Sequence, residues 1–114
     1  MMATDTRRPL IDVPPDLLPL IPLPDLEALP DARARGAHCV WGGELLSTAT
    51  AVDLGERPSP HGTTLFLRGC RQCSLRAVLT AYNTHPRRCE QCADESAICK
   101  TLRGLRALAL ELRK

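Results

Sequence analysis

The sequence predicts a small α+β zinc-binding domain built from a zinc knuckle, a β-hairpin and two helices. Two observations carry this prediction. Five of the six cysteines lie within thirty residues, and four of these form two Cys-x-x-Cys pairs. The expected core is also thin for 114 residues, because aromatic residues make up only 3% of the chain and ten prolines interrupt its apolar runs. Small domains with a thin core often depend on a bound metal or a disulfide.

Zinc is the ligand that the cysteine spacing favours. Cys70 and Cys73, and then Cys89 and Cys92, are each separated by two residues, so that one tight turn can place both thiolates on a tetrahedral ion. The chain has no apolar run of about 18 residues, and prolines break the stretch that could act as a signal peptide. We therefore expect a cytoplasmic protein with reduced thiols, and we favour zinc over disulfides, an iron–sulfur cluster or a redox pair.

The first third of the chain differs in composition from the rest. Residues 1–35 are rich in proline and acidic residues, which predicts an extended arm. Residues 36–114 are then the zinc-stabilised domain. The apolar residues of the arm allow two interpretations, one in which it lies loosely over the domain and one in which it docks on a partner. Residues 25–34 have room for one helical turn near Pro30.

The folded part begins with a candidate zinc knuckle and a hairpin. Cys39 is followed by a turn glycine, Gly43, but Gly42 stands where a knuckle normally has its second cysteine. Cys39 is therefore either a metal ligand or a small buried residue of a half-lost knuckle. Residues 48–54 and 63–67 have strand character and flank a loop rich in glycine and proline, which predicts a β-hairpin.

Two helices follow. Residues 74–82 carry one apolar stripe at helical spacing, and the pair His85 and Pro86 should end that helix. A second helix is predicted over residues 93–112, where Gly104 should weaken it by roughly 1 kcal/mol relative to alanine. Its stripe either packs on the domain's own core or forms the seam of a two-helix dimer. The two stripes consist of Leu75, Val78, Leu79 and Tyr82, and of Ile98, Leu102, Leu105, Ala109 and Leu112.

The candidate ligands can be divided into one site or two. A single site would join the two Cys-x-x-Cys pairs, but a helix over residues 74–85 is about 18 Å long, whereas the four residues that follow reach back at most about 14 Å. We therefore favour two sites, and one site stays open if the helix ends near Ala81. Site one would use Cys39, Cys70 and Cys73 with either His38 or His61, and site two would use His85, Cys89, Cys92 and Cys99.

Several short motifs give the chain a resemblance to a known group of proteins. They are Cys39-Val40-Trp41-Gly42-Gly43, Ala51-Val52-Asp53-Leu54-Gly55, Arg68-Gly69-Cys70-Arg71-Gln72-Cys73 and Cys89-Glu90-Gln91-Cys92-Ala93-Asp94. Together they resemble small cysteine-rich proteins of actinomycetes, over roughly residues 37–110. The resemblance implies a zinc-ribbon or treble-clef core and supplies no activity.

The sequence favours binding over catalysis. A catalytic zinc needs an open position and a nearby base, whereas the acids beside the cysteines suit the first turn of a helix. No acid occurs between Arg57 and Cys89, which favours a nucleic-acid-binding or regulatory module. The alternative is a protein-interaction adaptor that uses residues 9–30 or the last helix, in either case without a membrane. The candidate phosphate contacts are Arg71, Arg76, Arg87 and Arg88.

Overall fold

A three-stranded sheet forms one side of the molecule. The computed structural model describes residues 11–47, 49, 51–87, 89–95 and 99–113. The strands are β1 (Ile11–Asp12), β2 (Ala51–Pro58) and β3 (Thr64–Cys70), in the order β1-β2-β3. Strand β1 runs parallel to β2, and β2 and β3 are antiparallel. The predicted α+β class is therefore confirmed at this level.

The predicted hairpin is present, with longer strands than expected. Strand β2 continues through Gly55, which was expected to begin the loop, and the connection shrinks to residues 59–63. A shift in register between Asp53 and Glu56 marks a bulge, where Gly55 adopts a φ of 84°. A glycine accepts this left-handed backbone without the clash that a Cβ would cause. The Asp53 carboxylate accepts a hydrogen bond from the Gly55 amide at 2.8 Å, which holds the bulge.

In the described part of the chain, four helices accompany the sheet: α1 (Asp31–Ala34), α2 (Arg71–Thr84), α3 (Glu90–Glu95) and α4 (Lys100–Arg113). Short 3-10 turns cover Leu18–Leu20, Leu26–Ala28 and His85–Arg87. The helical turn near Pro30 and the end of α2 before Pro86 are as predicted. The single helix over residues 93–112 is wrong, because α3 and α4 are separate and Cys99 lies outside both. In one straight helix, Cys89 and Cys99 would be about 15 Å apart, so the break lets their sulfurs meet.

The two long helices pack against each other and the sheet through small and apolar residues. The face of α2 that is buried is rotated from the predicted stripe, since Leu75, Leu79 and Tyr82 are only half-buried. Leucines of α4 and of the hairpin fill the space beneath α2, so small side chains suit its contact face. The apolar stripe of α4 packs on the domain's own core, which is the first of the two interpretations given for it. Ile98, the first residue of the predicted stripe, lies outside the described residues. The buried residues are Ser74, Ala77, Val78 and Ala81 on α2, and Leu105, Leu108, Ala109 and Leu112 on α4.

The proline-rich segment is part of the core from residue 11 onward. Val13, Leu17 and Ile21 are 5%, 2% and 5% exposed. The interpretation that this arm lies loosely over the domain is therefore wrong for its described part. The predicted extended conformation holds only in part, because 3-10 turns interrupt the segment at Leu18–Leu20 and Leu26–Ala28. Its apolar side chains reach the core, and the Trp41 indole N–H donates to the Pro22 carbonyl at 3.1 Å. The boundary drawn at residue 35 remains a prediction. Within the described part of the chain, the helices are too short or too polar to span a membrane.

Candidate metal centres

The structure brings the candidate ligands together in two separate clusters. Within each cluster, one ligand atom from each of four residues lies within 4.8 Å of all the others, and each group can hold a metal ion. All six cysteines are free of disulfides. The division between the clusters follows the two-site prediction, except at one position. Cluster one consists of Cys39, Glu44, Cys70 and Cys73, and cluster two of His85, Cys89, Cys92 and Cys99.

A tight loop over residues 39–44 shapes the first cluster. The Cys39 amide donates to the Glu44 carbonyl at 2.8 Å, and the Gly43 amide donates back to the Cys39 carbonyl at 2.9 Å. Gly43 has a φ of 80°, which a residue with a Cβ rarely adopts. The turn aims backbone N–H groups at the Cys39 sulfur, which accepts from Gly42 and from Cys70, both at 3.4 Å. This turn lies where the sequence analysis placed its candidate knuckle, and it brings the Cys39 sulfur into cluster one.

The other two sulfurs of cluster one come from the start of α2. Cys70 ends β3 and caps α2, because its Sγ accepts from the Cys73 amide at 3.3 Å. Cys73 lies in the first helical turn, so both thiols face the knuckle from one side. The N-terminus of a helix carries partial positive charge, which stabilises thiolates. The order of loop, hairpin and helix thus converges on one point.

Glu44 is the member of cluster one that the sequence analysis missed. His38, in a β-bridge with Leu45, and His61, exposed in the hairpin loop, both lie outside the cluster. The missed signal was the position of Glu44 within the knuckle, because zinc also accepts carboxylate oxygens. Gly42 makes room for it, since a Cβ at that position would collide with Glu44 Oε1.

The second cluster joins the end of α2 to the start of α4. The His85 Nε2 atom lies 3.4 Å from the Cys99 Sγ atom, and the sulfurs of Cys89 and Cys99 are 3.9 Å apart. Two thiolates on one tetrahedral zinc, with bonds of about 2.3 Å, are separated by about 3.8 Å. The measured separation therefore suits a shared ion and is far too long for a disulfide.

Each cluster contains one thiol whose pKa is lowered. Burial is the largest cause of a raised pKa at Cys92 in cluster two and at both Cys70 and Cys73 in cluster one. In cluster one, burial raises the pKa of Cys39, but the amides of Gly42, Cys70 and Trp41 together bring it below its usual value. Burial, followed by a hydrogen bond to Glu44, raises the pKa of Cys70 to about 12. The amides around Cys39 therefore favour the thiolate form of that sulfur against the effect of burial.

The same division occurs in cluster two. The Leu102 amide, at the start of α4, is the largest influence on Cys99 and lowers its pKa to about 6, although burial opposes this. Burial and then hydrogen bonds to Cys99 and Cys89 raise the pKa of Cys92 to about 12. The low-pKa thiols, Cys39 and Cys99, are 0% and 4% exposed and are the two most buried cysteines.

The candidate phosphate contacts do not form one such cluster. Arg71 is half-buried at the first position of α2, Arg76 is exposed on the same helix, and Arg87 is exposed in the 3-10 turn after it. Arg88 lies outside the described residues.

A second basic surface, on α4, was not singled out by the sequence analysis. Arg103, Arg106 and Arg113 are exposed on a flank of α4 that adjoins its buried face, with exposed Leu110 among them. Their spacing of three and seven residues places them on one helical face. Among the described residues, no acidic side chain forms an ion pair with them. We call this surface the α4 basic face.

Comparisons with protein-family models, with curated proteins and with solved structures found no match to this chain.

Proposed function

We propose that the protein binds one structural zinc ion in each cluster and that the resulting rigid frame presents a nucleic-acid-binding surface. The observation that carries the metal assignment is the pair of four-residue groups with ligand atoms within 4.8 Å. Three thiolates in each group favour zinc over magnesium or calcium, which prefer oxygen ligands. Each zinc would add a cross-link to the core that the sheet and the long helices form.

A treble-clef plan for residues 38–84 is part of this proposal. A treble clef combines a knuckle, a hairpin and a helix whose first turn carries a second cysteine pair. The loop at Cys39, strands β2 and β3, and the start of α2 occur in this order and converge on cluster one. Cluster two would then hold the corner between α2 and α4, where α3 supplies Cys92.

The α4 basic face is the surface that we propose for nucleic acid. From Arg103 to Arg113, α4 rises about 15 Å, which matches the spacing of several successive phosphates on one strand. Arg106 and Arg113 also line a hollow with Tyr82 and Leu79 of α2, so two arginines and an aromatic residue border the same hollow. Guanidinium groups beside a ring suit the phosphates and bases of a single strand.

The charges of the metal sites favour α4 over the arginines nearer the cysteines. A zinc ion with three thiolates and a carboxylate has a net charge of about −2, and one with three thiolates and a neutral histidine about −1. Arg71, which directly follows Cys70, would offset part of the charge of cluster one. Among the described residues, no acidic side chain forms an ion pair with the arginines of the α4 basic face, so their charge is available to a ligand.

The adaptor function is the second candidate. The two features that favoured it in the sequence, the proline-rich arm and the apolar stripe of α4, both pack within the chain. The arm contributes Leu17 and Ile21 to the core, and the leucine stripe of α4 is covered by α2. Exposed Leu110 is what still favours a protein partner, because it is 51% exposed on an accessible face.

Binding to labelled single-stranded and double-stranded oligonucleotides tests the proposed function. We expect affinity to fall linearly with the logarithm of salt concentration, because phosphate contacts release counterions. A chain that is loaded with zinc and folded but does not bind either oligonucleotide at low salt would refute nucleic-acid binding. Retention of metal in that same sample would leave the zinc assignment standing.

A further inference from the structure

We propose that Glu44 is a displaceable ligand and that the metal in cluster one accepts a thiolate from outside this chain in its place. The proposal rests on metal binding at cluster one and is independent of nucleic-acid binding. It gives this site a ligand class, an external thiol, in addition to its structural role.

The first observation is the difference between the two clusters. Cluster two has three cysteines and a histidine, whereas cluster one has three cysteines and a carboxylate. Zinc takes thiolate and imidazole readily, and a carboxylate oxygen is the harder ligand, better suited to magnesium or calcium. A fourth thiolate would therefore compete well with Glu44.

The second observation is the exposure of the two sides of cluster one. Cys39 is fully buried, at 0% exposure, while Glu44 is exposed. The Cys39 amide holds the Glu44 carbonyl at 2.8 Å, and the adjoining bridge between His38 and Leu45 fixes the loop. The backbone is thus held, and only the side chain of Glu44 has to rotate for the metal to open toward solvent.

The third observation is a second partner for the carboxylate. The Arg33 guanidinium lies over Gly43, where a Cβ would collide with it. Among the described acidic residues, none forms an ion pair with Arg33, so the guanidinium can receive Glu44 when it leaves the metal. Its positive charge also favours an anionic ligand, such as a thiolate, over a neutral one.

Space for the rest of such a ligand exists beside Cys73. A hollow of about 340 Å³ borders cluster one at Cys73 alone, without Glu44 in its lining, and its other walls include Trp41, Pro22 and Arg76. A small thiol or the cysteine of an extended peptide fits this volume.

The exchange balances without redox chemistry. The bond from zinc to the Glu44 oxygen breaks, the bond from zinc to the incoming sulfur forms, and the thiol proton passes to solvent. One anionic ligand replaces another, so the net charge of the site is unchanged.

Cobalt(II) loading of the full chain provides the test, because cobalt bound to thiolates gives a charge-transfer absorption. Zinc has a filled d shell and gives no such absorption. We expect two cobalt ions per chain, and on addition of N-acetylcysteine a saturable rise in sulfur-to-cobalt charge-transfer absorption that corresponds to one additional thiolate. If fewer than two ions bind, the metal assignment fails; if two bind and the thiol has no effect, only the present proposal fails.

Two variants at one position serve as matched controls. Glu44→Cys supplies the fourth thiolate permanently, so its spectrum should equal that of the thiol-saturated wild type and should not change on addition of thiol. Glu44→Ala removes the internal competitor; if Glu44 occupies the metal in nine of ten molecules, the thiol should bind about tenfold more tightly. Both variants should still bind two cobalt ions, which shows that the site has folded.

The source of the thiolate is distinguished by a second titration with a short cysteine peptide that has blocked ends. Equal affinity for the peptide and for N-acetylcysteine supports a small thiol, and tighter binding of the peptide supports a cysteine of a protein partner. An equal response in wild type and Glu44→Cys would overturn the proposal, and so would loss of cobalt from wild type on addition of thiol.

Discussion

The Nε2 atom of His85 lies 3.4 Å from the Sγ atom of Cys99, although fourteen residues separate them. His85 begins the 3-10 turn that follows α2, and Cys99 directly precedes α4. Their contact therefore joins the ends of the two long helices at one point. Cys89 approaches the same sulfur at 3.9 Å, so three segments of the chain converge there. A metal ion at this point would fix the angle at which α4 lies on α2.

Removal of metal should loosen this corner. We expect a chelator to lower the midpoint of thermal unfolding by more than about 10 °C, because structural zinc contributes several kcal/mol of folding free energy and each kcal/mol shifts a small domain by about 4–8 °C. Circular dichroism during heating measures this. Zinc added in excess of the chelator should restore the original midpoint, and magnesium should not. An unchanged midpoint after complete removal of metal would contradict a structural role.

Leu17 should be a core residue in solution. We expect Leu17→Ala to lower the free energy of unfolding by about 2–5 kcal/mol, because it empties a buried site beneath α4. The matched control is Leu20→Ala, three residues away, where the side chain is 38% exposed and the cost should be below about 1 kcal/mol. Urea denaturation measures both. Equal costs for the two variants would show that the proline-rich segment does not pack as described.

Gly104 should be replaceable by alanine with a gain in stability. It lies inside α4, and a Cβ there would meet the Leu17 side chain at 3.5 Å, an ordinary contact distance. Alanine is favoured over glycine in a helix by about 0.8–1 kcal/mol, so the free energy of unfolding should rise by that order. Gly55→Ala is the contrast, because φ is 84° there and we expect destabilisation. A loss of stability in Gly104→Ala would indicate that α4 packs closer to Leu17.

The two candidate basic surfaces can be compared at equal change of charge. We expect the triple variant Arg103→Gln, Arg106→Gln and Arg113→Gln to reduce the slope of log affinity against log salt by about 2.1 on single-stranded DNA. The variant Arg71→Gln, Arg76→Gln and Arg87→Gln should reduce it by less than about 1. Fluorescence anisotropy across a salt series measures both slopes. The reverse order would assign phosphate binding to the arginines near the cysteines.

The sequence predicted the parts of the structure that local spacing controls. The hairpin, the end of α2 before Pro86 and the grouping of seven ligand residues followed from residue periodicity and from the length of a complete helix. The separation of α3 from α4 did not, because the apolar stripe from Ile98 to Leu112 does not show where its helix begins. Only the contact between Cys89 and Cys99 shows that one continuous helix is excluded.

Two further features depend on tertiary contacts. Glu44 joins cluster one because the knuckle loop folds it back past Gly42, and no spacing rule for cysteines and histidines includes a carboxylate at that position. The burial of Val13, Leu17 and Ile21 depends on the packing of α4 and the sheet around them. Proline content alone predicts an extended segment but not what covers it.

The metal content of protein purified without a tag tests the two-cluster arrangement most directly. We expect about two zinc ions per chain by elemental analysis, one in each cluster of four residues. Cys39→Ser and Cys99→Ser should each retain about one zinc ion, because each variant leaves the other cluster intact. A wild-type value near one, with the ion lost completely in a Cys70→Ser variant and in a Cys92→Ser variant alike, would indicate a single shared site. Iron, or no metal at all, would contradict the zinc assignment altogether.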